Sequence, residues 1–302
     1  MDQQLLVFVT VAEKENFSRA AEQLHMTQPA VSQHIQALER EFGTRLLERS
    51  NKYVRLNKAG EIVYHHAKEI LGLHTRMRDL VDDLMNTPSG NLIIGSSYTF
   101  GEYVLPHVVA RLRDRYPKIK PTITIHNTKE IVDLIARRQL DAGIVEGEYR
   151  HEKLSIEPFA DDEMQIIVSS DHRLAKKEKV TVRELEEETW IVREEGSGTR
   201  EAAEKMFARL DLSPVNLMEF GSTQIIKESV EAGMGVSLLS SWAIRKELTL
   251  GTLCMVKLPE TPITRKFSLV TQANLFRTKA LDIFLDLLRK NEVLPNSLEL
   301  KR

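Results

Sequence analysis

Residues 17–42 read FSRAAEQLHMTQPAVSQHIQALEREF, and this stretch decides how the chain begins to fold. Ser18 is placed as a helix N-cap, and Ala20, Ala21 and Leu24 form a short apolar face. After a break at His25 and Met26 a second cap, Thr27, starts another helix. Along that helix Val31, Ile35, Leu38 and Phe42 recur four, three and four residues apart, so one stripe turns inward. Gln28, Pro29, Ser32, Gln33 and Gln36 are left facing out. This outer face is polar yet nearly uncharged. Ser and Gln both donate and accept hydrogen bonds, as reading base edges in a major groove requires, whereas a merely solvated helix face carries Glu and Lys more often. Paired amphipathic helices also occur in many domains that touch no nucleic acid. The polarity of this one suits a helix-turn-helix with its second helix in the groove.

Working outward, residues 2–15 carry Leu5, Leu6, Val9 and Ala12 at helical spacing and complete a three-helix core. Beyond the pair, Arg40, Arg45, Arg49, Lys52, Arg55 and Lys58 face only Glu41 and Glu48. RLLERSNKYVRLN alternates around a Ser-Asn-Lys turn, as a two-stranded wing does. Arg49, Lys52 and Arg55 on such a wing would grip phosphate and position the module without choosing sequence. The net charge of −2 does not oppose this, since it averages a small basic module with a larger body.

The spacing Ala20-Ala21, Leu24, Gln28, Ser32, Ile35, Leu38-Glu39, Phe42-Gly43, Leu46 and Arg49 resembles the N-terminal signature of the LysR-type transcriptional regulators. Leu47 stands where Phe is commoner and Asn57 where Thr is commoner, and both swaps keep the chemistry. The resemblance implies a mixed fold. It comprises an N-terminal winged helix-turn-helix, a long dimerisation linker helix, and a C-terminal α/β periplasmic-binding-protein-like domain of two lobes with a small molecule between them. Double-stranded DNA, a small anionic effector and further copies of the chain, as a homodimer or homotetramer joined through residues 58–86, are the expected partners.

At 302 residues the chain exceeds one ordinary core and suggests two or three domains. The single cysteine, Cys254, excludes an intrachain disulfide. No apolar run approaches the roughly 18 residues of a membrane span, and the N-terminus lacks a basic start and a cleavage site, so a cytoplasmic location is expected.

Asn57 can cap a helix running to about residue 86, in which Gly72 costs only about 1 kcal/mol. Val63, Ala67, Ile70, His74, Met77, Val81 and Leu84 form a heptad seam along it, suited to the same helix of a second subunit. His65, His66 and His74 with Glu69 invite a metal site. None is assigned, because neighbouring residues point about 100° apart on a helix and no Cys or second His follows at four residues. His74 is read as setting register.

Thr87-Pro88-Ser89-Gly90 is a hinge. After it, LIIGSS, helix 101–116, PTITIHN, helix 129–138 and AGIVEG follow the βαβ rhythm of a parallel sheet. MQIIVSS, from 164, opens a second unit with WIVRE, helix 199–210, VNLMEF, helix 223–233 and GVSLLS. LCMVKL and RKFSLVTQ continue as strands, and a helix over about 279–290 returns to the first lobe. The expected division is residues 1–57, 58–87 and 88–302, with one lobe over about 88–161 and 268–302 and the other over about 162–267.

Ligands of open α/β sheets bind beyond the carboxyl ends of the strands. Four loops there are rich in hydroxyl and amide groups and precede helices: Ser96-Ser97-Tyr98-Thr99, Asn127-Thr128, Gly196-Ser197-Gly198-Thr199-Arg200 and Gly221-Ser222-Thr223. Ordinary helix caps use the same residues. Helix N-termini aimed at one cleft would nonetheless favour an anion, and Arg200 adds a donor fork. The glycines at 196 and 198 would let a ligand approach the backbone. The expected effector residues are therefore Ser96, Ser97, Thr99, Asn127, Thr128, Glu146, Ser197, Thr199, Arg200 and Thr223. Glu146 is awkward beside an anion unless it pairs with Arg200 or binds an amine. Residues 96–106 and 196–200 also resemble the branch of the family that controls sulfur assimilation and carbon fixation. No catalytic residue or cofactor is assigned, since no GxSxG, Walker A, GxGxxG or HExxH motif occurs. The alternatives are an architectural DNA protein without a ligand and a DNA-tethered enzyme.

Overall fold

The structure, a computed structural model, describes residues 2–49, 53–85, 88–147, 149–259, 261–273 and 276–290. It separates into two compact units, residues 1–82 and 83–302.

In the first unit, α1 (Asp2–Lys14), α2 (Phe17–Gln23) and α3 (Gln28–Glu41) bury Leu5, Phe8, Ala20, Val31, Ile35 and Leu38 in one core. Asn16 rather than Ser18 caps α2, its side chain accepting from Arg19 N at 3.0 Å. The helix starts two residues earlier than expected, with Phe17 packed against the core, which leaves Ser18 exposed within the first turn. Thr27 stands at the N-cap of α3 as expected, although its hydroxyl makes no cap hydrogen bond. The turn between the helices passes through His25, whose φ of 51° is the left-handed conformation that makes so short a reversal feasible. Phe42, expected to close the inward stripe, is instead the C-cap of α3 and is 49% exposed; Leu46 and Leu47 fill the core in its place.

The wing forms as read: β1 (Leu47–Arg49) and β2 (Val54–Leu56) pair antiparallel, Leu47 opposite Leu56. The turn residues Ser50, Asn51 and Lys52 lie outside the described residues. Asn57 Oδ1 accepts from Gly60 N at 2.8 Å and opens α4 (Lys58–Met85). A Cβ at Gly60 would stand 2.0 Å from the Leu46 carbonyl oxygen, so glycine sets how closely α4 lies on the wing. That closeness alters the seam. Ala67 is buried and Val63 and Leu71 pack on the same core, while Ile62, Ile70, Leu73, Met77 and Val81 form the exposed apolar stripe. The division expected at residues 57 and 87 thus differs from the compact units, since the first half of α4 belongs to the first core.

In the second unit the elements are β3 (Gly90–Ser96), α5 (Tyr98–Tyr103), α6 (Leu105–Arg115), β4 (Ile119–Ile125), α7 (Thr128–Ala136), β5 (Ala142–Glu146), β6 (Leu154–Ser169) and α8 (Val182–Glu186). They continue with β7 (Thr189–Arg193), α9 (Gly198–Leu210), β8 (Asn216–Phe220), α10 (Thr223–Glu231), β9 (Ser237–Ser240), α11 (Ser241–Leu250), β10 (Leu253–Met255), β11 (Ile263–Gln272) and α12 (Lys279–Arg289). The hinge residue Thr87 lies outside the described residues. One sheet runs β10-β6-β11-β5-β3-β4 with β9 also on β6, and β7 pairs β8 in a separate parallel ribbon.

The single helix expected over 101–116 is two, broken at Val104, because Pro106 lacks an N–H and starts the second helix near its first turn. The strand expected from 164 begins at Leu154, and β6 continues through Pro158 and the charged run Asp161-Asp162-Glu163, paired to β11. The expected lobe boundaries therefore fall inside β6 and β11, two continuous strands shared by both halves. Phe100, Val108, Leu112, Ile144, Phe267 and, from α12, Phe284 form the core on one side of that crossing; Met164, Ile166, Trp190, Met206 and Leu238 form the core on the other.

Candidate functional site

Two sites follow from this architecture. On the first unit, Gln28, Pro29, Gln33 and Gln36 are exposed along α3 and Ser32 is half-buried beside them, with Gln28 Nε2 donating to Ser32 Oγ at 3.1 Å. Glu39, at the far end of α3, fixes the wing: its Oε1 accepts from Leu46 N at 3.0 Å and its Oε2 pairs with Arg49 Nη2 at 2.9 Å. The Arg49 guanidinium also sits 4.9 Å from the Phe17 ring centre. Arg49 therefore braces the wing against α2 and α3, and Arg55, exposed and 5.3 Å from the Tyr53 ring centre, is the freer cation. Lys52 lies outside the described residues. A groove of about 810 Å³ lined by Gln36, Arg40, Arg45 and Arg49 runs along the C-terminal end of α3.

On the second unit, the expected Thr99, Glu146 and Thr199 meet around two residues outside the expected set, Arg265 and Asp162. Arg265 of β11 is buried where the halves meet. Its Nε donates to Asp162 Oδ2 at 2.8 Å, and its Nη1 lies 2.9 Å from Glu146 Oε2 and 3.0 Å from Thr199 Oγ1. Its Nη2 donates to Thr99 Oγ1 at 3.0 Å. Glu146 Oε1 accepts from the first-turn amides of α5, Thr99 N at 2.8 Å and Phe100 N at 3.3 Å. Thus Glu146 pairs with Arg265, not Arg200, and itself occupies the helix N-terminus where an anion was expected. Asp162 also accepts from Ser240 Oγ at 2.6 Å; burial pushes its carboxyl up to about 6 against the pull of Arg265. Two carboxylates share one guanidinium, and a proton on Asp162 makes the group neutral.

A second cluster adjoins it. Arg193, at the end of β7, forks onto Glu194 with two contacts of 2.7 Å, donates to Thr223 Oγ1 at 3.3 Å and lies 4.2 Å from the Tyr98 ring centre. Asn127 caps α7 and also donates to Glu194 Oε1 at 3.3 Å. Burial would raise the Glu194 carboxyl, but the Arg193 fork more than offsets it and holds it below the usual range.

The remaining expected residues separate by this geometry. Thr128 Oγ1 donates to the Glu146 carbonyl at 3.2 Å, Ser97 Oγ to the Ile144 carbonyl at 3.3 Å, and Ser96 Oγ to the Ser97 carbonyl at 3.1 Å. Ser197 caps α9 by accepting from Thr199 N at 3.2 Å. Gly198 leaves no room for a ligand, because a Cβ there would stand 2.2 Å from the Glu146 carbonyl oxygen; the chain's own backbone makes the close approach. Arg200 turns away, its Nε on Glu204 at 2.6 Å and its Nη1 on the Arg193 carbonyl and Glu219. A basic residue in the first turn of a helix finds its partner one turn on at Glu204, which is why Arg200 is not in the cleft.

Arg265 had a readable signal, since Ile263, Arg265, Phe267 and Leu269 alternate inward along β11. Asp162 and Arg193 had less: one sits in a charged run and the other closes an apolar strand.

Comparison with known proteins decides what this pairing of sites belongs to. Residues 3–61 match the model of the bacterial regulatory helix-turn-helix protein, lysR family, and residues 85–292 that of the LysR substrate binding domain. The chain belongs to the LysR family. It is a DNA-binding transcriptional regulator with an effector-binding domain. It is 36% identical over 287 residues to the HTH-type transcriptional regulator CysL of Bacillus subtilis, spanning 95% of this chain and 96% of that one. It is 34% identical to a probable RuBisCO transcriptional regulator of Cyanophora paradoxa, spanning 93% and 89%. Among solved structures, the regulatory domain of Synechocystis CcmR in complex with 2-PG is 29% identical, with a TM-score of 0.62 over 67% of this chain and 97% of that one. No described helix of the LysR-family chain is long and apolar enough to cross a membrane.

Proposed function

We propose that this LysR-family regulator reads its operator through Gln28, Pro29, Ser32, Gln33 and Gln36 of α3. Ser18, Thr27, Arg49, Lys52 and Arg55 hold the phosphates. Residues 1–57 act as the reading module, 58–87 join two copies of the chain in the cytoplasm, and 88–302 sense a small anionic metabolite without catalysis. The exposed stripe Ile62, Ile70, Leu73, Met77 and Val81 supports the joining role. The effector lies between the halves of the second unit; that this domain takes a small molecule is supported by analogy with the CcmR regulatory domain, which was solved in complex with 2-PG.

The observation that carries the effector reading is the buried Arg193 cluster. A guanidinium stacked on Tyr98, bonded to Thr223 and neutralised by one adjacent carboxylate, Glu194, which Asn127 also contacts, is a site where an incoming anion can take over the Glu194 contacts. Arg193 replaces Arg200 as the proposed anchor. Thr99, Thr128, Ser197 and Thr199 line the neighbouring part of the cleft, where Glu146 and Arg265 hold the halves together.

Thermal unfolding of the whole chain with sulfite, sulfate, O-acetylserine, phosphoglycerate or 2-PG tests this. A ligand at a hundredfold excess over its Kd stabilises by about 2.7 kcal/mol. At least one of these should do so, and Arg193→Ala should abolish the shift while operator affinity is retained. Stabilisation by none of them, or an undiminished shift in the variant, refutes the anion reading.

A further inference from the structure

Outside these sites, α4 brings together three metal-ligating side chains, although His65 and His66 diverge along the helix. Glu69 resolves the divergence. It follows His66 by three residues and His65 by four, so it lies on the next turn between them. Its Oε1 is 3.7 Å from His65 Nε2 and its Oε2 is 3.1 Å from His66 Nδ1, while the two rings meet edge to face with centroids 5.2 Å apart. One donor atom from each residue lies within 4.8 Å of the others. Donors bound to one tetrahedral ion at about 2.0–2.2 Å stand about 3.4 Å from each other, so small side-chain rotations close the set around an ion.

The surroundings leave the carboxylate to the imidazoles. Lys68, the nearest cation along the helix, turns the other way, with its Nζ on Glu13 at 3.1 Å and over the Tyr64 ring. In the single chain the His66 side chain is 64% exposed, and because Ile62 and Ile70 beside it belong to the stripe proposed to join two copies, the site lies on that joining face.

We propose that His65, His66 and Glu69 form a binding site for a divalent first-row transition metal such as Zn²⁺, with water in the remaining positions. Two neutral imidazole nitrogens and one carboxylate suit Zn²⁺, Ni²⁺ or Cu²⁺, whereas Mg²⁺ and Ca²⁺ take oxygen donors. The ion staples one turn of α4 beside Ala67, where the helix leaves the first core, and it lies between the exposed Ile62 and Ile70 of the apolar stripe.

Titration of the untagged full-length chain with ZnCl₂, followed by calorimetry, tests the site. One ion per chain is expected to bind at micromolar concentration. His65→Ala, His66→Ala and Glu69→Gln should each weaken binding tenfold or more, with far-ultraviolet dichroism unchanged because none of the three side chains is buried in the core of the chain. His126→Ala, which removes a separate His–Glu pair with Glu130, should leave the titration as it is, and MgCl₂ should not compete. Absence of Zn²⁺ binding below millimolar concentration overturns the proposal. So does binding that survives His66→Ala and Glu69→Gln, which would place the ion elsewhere.

Discussion

The outer face of α3 and the cleft between the halves of the second unit are both rich in polar side chains, and they treat those side chains in opposite ways. On α3 the Gln groups are exposed and Ser32 is half-buried beside them, and the one contact described among them joins Gln28 to Ser32. In the cleft Glu146, Asp162, Arg265, Thr99 and Thr199 are buried and satisfy one another. A surface with spare donors and acceptors gains directly when a base edge arrives. A cleft whose charges are already paired gains only by exchange, so its ligand must replace an internal partner, and the free energy left for binding is the difference between two contacts.

Breaking the cleft network should give the largest effect. Arg265→Ala leaves Glu146 and Asp162 buried without their cation, and removing one partner of a buried ion pair costs about 3–5 kcal/mol. Urea unfolding of the whole chain should show that loss. Asp162 sharpens the same point through pH. Its folded pKa of about 6 stands above the ordinary 3.8, so the folded state holds its proton longer than the unfolded one. Wild-type stability relative to Asp162→Asn should therefore fall as pH rises from about 4 to 6, by up to about 3 kcal/mol, and level off above that. A difference flat across this range would mean that Asp162 stays ionised.

The legibility of the two regions differs for the same physical reason. The α3 face was readable because exposed polar residues opposite Val31, Ile35 and Leu38 leave a clear period, and the wing and Asn57 cap followed from local rules. The cleft was only half readable. Thr99, Thr128, Glu146 and Thr199 could be placed near it from strand ends, but which cation joined them depended on β6 and β11 crossing. That crossing is a pairing between residues about a hundred positions apart. The charged run at Asp161-Asp162-Glu163 hid the strand that brings Asp162 inward, and Arg200 looked available only because Glu204 and Glu219 were not seen as its partners.

Smaller effects should separate positioning from reading. Arg55→Ala is expected to weaken binding to any DNA alike and to lower the slope of log affinity against log salt by about one, measured by anisotropy between low and physiological salt. Arg200→Ala should do least. Its carboxylate partners are half-exposed, so the loss in thermal stability should stay below about 1 kcal/mol, with ligand-induced stabilisation unchanged. A loss of ligand response there would return the anchor from Arg193 to Arg200.

Sequence reading is the role proposed for the uncharged face of α3. Its most direct test takes a site selected from random DNA by the wild-type chain and compares anisotropy titrations of wild type and Gln33→Ala on that site and on scrambled DNA. The variant should lose about 1–3 kcal/mol on the selected site and almost nothing on scrambled DNA. Equal losses on both, or none on the selected site, would contradict the account.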